Sequence, residues 1–218
     1  MSLKKFLVIL LPVSGLLVLL VYLNETVFGI PIPDRLVLVL FFLLGPVAIV
    51  GILQFRKRLL RHYTGDLLNI ATVFLIIAFS LLNLMLVVQQ SSFAFHRKAL
   101  QEAADESVKE SLVLAFTEVN PVQLGIDISW DIFYCIGIIL LSMVLLHLSL
   151  AWKILGIYGL ITGLGLFALN MWTFPVPPGE SGLIDFGPLS ALFWVALIVI
   201  ILFERPEKTH PSAIGASF

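Results

Sequence analysis

The sequence predicts an all-α fold, a polytopic membrane protein of six transmembrane helices with both termini inside, and three observations lead there. Of the 218 residues, 60% are hydrophobic and only 12% are charged, against about 25% charged in a soluble domain. Mean hydropathy is +1.07. The apolar residues fall in runs that suit the roughly 20-residue helix needed to cross a ~30 Å hydrocarbon core. Continuous runs exclude a transmembrane β-barrel, whose strands alternate. The composition also excludes a soluble single-core domain, a disordered chain and a nucleic-acid binder. A single cysteine, Cys135, excludes a disulfide-built secreted domain.

The expected spans cover residues 6–23, 35–55, 67–90, 130–150, 154–172 and 186–203, so that 1–218 form one integral membrane domain with a cytoplasmic tail at 204–218. Lys4 and Lys5 before the first run also suit a signal peptide. The run is longer than a cleaved core, and residues 18–23 (VLLVYL) offer no small-x-small cleavage site, so a retained anchor is expected. Gly45-Pro46 should bend the second span.

Orientation follows from the basic residues of the short loops. With the N-terminus inside, nine of the thirteen Lys and Arg lie on the inner side and eleven of the fourteen acids on the outer. This predicts an inner-membrane protein with cytoplasmic ends. The inner loop at 56–65 carries Arg56, Lys57, Arg58 and Arg61, which hold topology and attract anionic headgroups at about 1 kcal/mol each. A phosphoinositide or nucleotide site is the sharper alternative.

Between spans three and four, residues 91–124 read as one outer amphipathic helix. Leu100, Ala104, Val108, Leu112, Phe116 and Val119 recur at near-helical spacing, and Asn120-Pro121 should end it. Its polar side is largely acidic, unlike that of a membrane-surface helix. It either caps the bundle, meets a partner or is a solvated connector. The last outer loop, with Pro175, Pro177 and Pro178, should run extended and polyproline-like. Asp185 stands as an N-cap ahead of Pro188 and the sixth span.

Inside the fifth span Gly156, Gly159 and Gly163 remove bulk, and the last two have the small-xxx-small spacing of close helix packing. That packing is either within the chain or between two copies. Ser80 and Asn83 are the notable deep polar pair, expected to make interhelical hydrogen bonds. With Arg35 and Asp131 at span edges, no charge is expected deeper inside a span, which argues against a proton-coupled pump. No HExxH pair, GxSxG elbow, cysteine pair or pair of membrane-depth histidines is present for the common catalytic and cofactor chemistries. No cofactor is expected. His96 with Asp127 and Asp131 is only a weak metal constellation, so no metal is expected either.

One cluster stands out where the fourth span opens. Asp127, Trp130, Asp131 and Tyr134 lie at i, i+3, i+4 and i+7, on one helix face. Two carboxylates one turn apart repel each other. Asn170, Trp172 and Asp185 should emerge at the same depth and complete an acidic outward vestibule for a cation, an amine or a lipid headgroup. The plainer explanation is a helix start, where acids favour the macrodipole and Trp and Tyr populate the interface.

With catalytic machinery missing, the sequence favours a non-enzymatic accessory, assembly or sensing subunit of a membrane complex. A small transporter or channel using the acidic vestibule comes second, and an outer-leaflet lipid-acting enzyme third. The expected partners are the lipid bilayer and another membrane protein or a second copy of the chain.

Overall fold

A computed structural model describes residues 6, 8–10, 13, 34–176 and 178–203. Among them every regular element is helical: α1 (Asp34–Leu59), α2 (Asp66–Glu102), α3 (Glu106–Leu145), α4 (Leu150–Thr173) and α5 (Gly187–Phe203). Most of the expected first span, with Lys4 and Lys5, lies outside the described residues, as do Pro177 and the tail at 204–218. The helices α1 to α4 are long and apolar enough to cross a membrane. The sixth expected span is the shorter α5, whose 17 residues reach about 26 Å at 1.5 Å per residue.

On α4 large aliphatic side chains also face outward, unlike the surface of a water-soluble bundle. On α4 the buried positions include Gly156, Gly159 and Gly163, whereas Ile154, Ile157, Ile161 and Leu164 are exposed. In water such an aliphatic stripe would be costly. In lipid there is no hydrophobic drive between helices, so small residues turn inward for close contact and large ones face the hydrocarbon. A Cβ on Gly159 would collide with Ser142 Oγ of α3 and stand 2.6 Å from the Phe193 ring of α5. The glycine seam therefore holds α4 against both neighbours. Buried Phe55, Ile52, Leu75, Ile138, Leu141, Phe193 and Leu197 fill the rest of the core.

The expected outer amphipathic helix is not a separate element. The helix that carries the third span passes Gln89-Gln90 and ends only at Glu102. The chain then reverses at 103–105, where Asp105 Oδ1 accepts from Ser107 N at 3.1 Å and starts α3. From there α3 runs unbroken through Pro121 to Leu145. A proline forfeits one N–H and crowds one carbonyl, but α3 is held on α2 on both sides of it. Phe116 packs 5.3 Å from Phe93 before the proline, and Phe133 packs 5.5 Å from Phe74 after it. Tertiary packing overrides the local stop signal. With 37 and 40 residues, α2 and α3 are about 55 and 60 Å long. They form a hairpin that outreaches any ~30 Å hydrocarbon layer.

The proline-rich segment is a knot of turns rather than an extended strap. Val176 N donates to Thr173 O at 3.0 Å, and both Ser181 N and Leu183 N reach back to Pro178 O at 3.1 and 2.9 Å. Gly182 supplies the left-handed residue, with φ of 75°. This folding returns the chain inward. Phe186 comes to lie where a Cβ on Gly165 would stand 2.6 Å from its ring, so α5 starts about two turns short of the end of α4.

The deep polar pair also differs from expectation. Ser80 Oγ bonds Ile76 O of its own helix. Asn83 Oδ1 is buried without a partner, beside Gly45.

Candidate functional site

Three elements converge at the end of the bundle where the proline-rich turns fold in. Asp127, Trp130 and Asp131 come from α3, Asn170 from the last turn of α4, and Asp185 from the segment entering α5. They line one cleft of about 370 Å³. Leu124, Ile128, Leu166, Phe174, Pro175 and Val176 supply much of its apolar wall. Among the described residues no Lys, Arg or His lines it.

Position along α3 decides between explanations for the aspartates. The helix begins at Glu106, so Asp127 lies about six turns in. A first-turn interaction with the macrodipole fades within a turn and does not account for either carboxylate. Asp131 is only two residues from Phe133, which packs on Phe74 in the apolar stretch of α2. It therefore lies next to an apolar stretch of the α2–α3 packing. Its exposure is 8%.

Burying a carboxylate is costly unless hydrogen bonds replace its water. Asn170 Nδ2 donates to Asp131 Oδ2 at 2.6 Å, across the α3–α4 seam. Asp185 Oδ1 accepts from Gly187 N at 2.7 Å, which satisfies the first N–H of α5 and fixes the third carboxylate on the cleft wall. Trp130 lines the same wall, and its indole nitrogen is buried away from solvent without a hydrogen-bond partner.

Two residues grouped with this site lie elsewhere. Tyr134 shares the helix face but sits deeper, where its hydroxyl pairs with Ser190 Oγ at 2.7 Å and accepts from Trp194 Nε1 at 2.8 Å. It ties α3 to α5 behind the cleft. Trp172 is 83% exposed and does not line the cavity. Sequence reasoning missed the Ser190–Trp194 pair, whose i, i+4 spacing on an otherwise apolar helix was the available signal. It also missed Phe174, Pro175 and Val176 as wall residues, for which no local signal exists.

Elsewhere, His96 stacks on Phe116 at 4.3 Å. No group of three His, Cys, Asp or Glu side chains that could hold a metal ion occurs among the described residues. At the opposite end of the bundle Arg56 donates through Nε and Nη2 to Asn69 Oδ1 at 3.1 and 2.7 Å, pinning α1 to α2. Lys57 and Arg61 are exposed and Arg58 is half-buried there.

The fold and its outward-turned aliphatic side chains point to a helical membrane protein. Comparison with protein-family models, curated proteins and solved structures returns no match.

Proposed function

We propose that this chain is a multi-pass inner-membrane protein that takes a small cationic ligand into the acidic cleft from the outer side, as the binding step of a small transporter. The observation that carries the reading is the convergence of Asp127, Asp131 and Asp185 on one recessed cavity that no basic side chain lines among the described residues. Ionisable groups kept within a helical membrane bundle are expensive, and function is the usual reason for them. The basic cluster of Arg56, Lys57, Arg58 and Arg61 at the opposite end supports a cytoplasmic placement for that end and an outward placement for the cleft.

Equilibrium binding of phenethylamine to the purified full chain in detergent tests this. The wild-type protein should bind it, and Asp131→Asn should weaken binding by about tenfold or more. Equal binding by both proteins, or none by either, would overturn the proposal.

An accessory-subunit reading keeps support from one further observation. On the α2–α3 hairpin, beyond the cleft, Phe95 and Leu114 are 76% and 66% exposed. Apolar side chains presented there suit contact with another membrane protein.

A further inference from the structure

The end of the bundle away from the cleft gathers positive charge from two separate turns. The turn after α1 and the turn between α3 and α4 lie side by side. The Tyr63 and His147 rings are 5.5 Å apart, and Phe55 of α1 meets Trp152 of α4 at 6.0 Å. Arg58 lies one turn from Phe55 on the same face of α1, Arg61 stands in the turn that follows, and Lys153 comes directly after Trp152. The stretches 56–66 and 146–153 together hold five Lys or Arg and one acid, Asp66.

Topology alone does not ask for this arrangement. Basic residues anywhere on the inner loops satisfy the positive-inside preference, whereas drawing two loops together sets like charges against each other. Lys153 adds a second cost. It stands in the first turn of α4, where a cation opposes the helix macrodipole. An anion held between the two turns offsets both costs.

The surface beside the charges says which anion. Leu150, Ile154, Ile157 and Ile161 are exposed and follow helical spacing, so they form one aliphatic face that starts at the charged end of α4. Lys153, also exposed, lies on that same face, three residues after Leu150 and four before Ile157. A soluble phosphate compound has no use for such a face, but an acyl chain does. We infer that this end of the bundle binds an anionic phospholipid, with its phosphate between Arg58, Arg61 and Lys153 and its acyl chains along the α4 face. The lipid site is independent of whatever the cleft takes.

Native mass spectrometry of the full-length protein in an uncharged detergent reads the site, with phosphatidylglycerol and phosphatidylcholine of the same acyl chains as probes. The wild-type protein should retain phosphatidylglycerol about tenfold more tightly than phosphatidylcholine, and inorganic phosphate should not displace it. Lys153→Gln should weaken phosphatidylglycerol binding about fivefold, the worth of one basic residue near a headgroup. Lys57→Gln removes the same charge from the side of α1 turned away from Phe55, two residues on, and should weaken binding distinctly less. Both side chains are exposed, so neither change threatens the fold. Equal wild-type affinities for the two lipids would overturn the inference. Equal losses in Lys57→Gln and Lys153→Gln would also overturn it, since they mark diffuse attraction to any anionic surface. Displacement by inorganic phosphate would overturn the lipid in favour of a soluble phosphate ligand.

Discussion

Asn170 reaches across the seam between α3 and α4 to donate its side-chain N–H to the Asp131 carboxylate at 2.6 Å. The bond does two things. It replaces part of the water that Asp131 loses at 8% exposure, and it fixes the register of the two helices at the level of the cleft.

Asn170→Leu removes that donor and leaves the carboxylate to its neighbours Asp127 and Asp185. A hydrogen bond to a charged group is worth about 1.5–3 kcal/mol, so thermal unfolding in detergent should move downward by that order. An unchanged melting temperature would mean that the seam is held without this bond.

The aspartates themselves should behave in the opposite sense. Asp127→Asn relieves like-charge repulsion with Asp131, so stability should hold level or rise while affinity for phenethylamine falls. A residue serving only as a helix-start acid would instead cost about 0.3–1 kcal/mol on replacement and leave binding alone. Unfolding and binding measured on the same preparation separate the two outcomes.

The shared face of Asp127 and Asp131 was legible in the sequence because helical spacing alone puts residues four apart together. Asp185 was expected as the N-cap, but Phe186, whose carbonyl accepts from Ser190 N, holds that position, and Asp185 bonds Gly187 N from one residue before it. Asn170 was expected at the same depth, but its contact with Asp131, 39 residues distant, depends on how α4 is set against α3 by Gly156, Gly159 and Gly163. Tyr134 looked like a vestibule residue because its true partner, Ser190, lies 56 residues away. Asn120-Pro121 read as a helix stop, and the packing of Phe116 and Phe133 along α2 outweighed it. Local periodicity thus revealed the helices and the acidic face. Long-range register decided which of those residues meet.

The glycine positions should rank by the space around them. Gly159→Ala puts a methyl into Ser142 Oγ and the Phe193 ring, whereas a Cβ on Gly163 meets Ile139 Cγ1 at 3.1 Å and needs only a small shift. Overpacking costs about 1–3 kcal/mol, so Gly159→Ala should be clearly destabilising and Gly163→Ala much less so. Gly125 has open space around it, and Gly125→Ala should be neutral or stabilise α3 by roughly 0.5–1 kcal/mol. Thermal unfolding of the three variants checks the order; Gly159→Ala as stable as wild type would contradict it.

Topology is open to labelling in intact cells. Glu106, Glu180 and Lys57 are exposed, and the native Cys135 is fully buried. Glu106→Cys and Glu180→Cys should react with a membrane-impermeant thiol reagent, and Lys57→Cys should not. Reaction at Lys57→Cys alone would reverse the orientation.

The most direct test of the acidic cleft is the local field that its carboxylates create. Thr173 lines the cavity without belonging to the carboxylate set, and Thr173→Cys places a thiol there. A cationic thiosulfonate reagent should modify it about tenfold faster than an anionic one of the same size, because an acidic cleft concentrates cations. Phenethylamine should protect the thiol. Equal rates for the two reagents, with no protection by the amine, would contradict a cation-binding cleft.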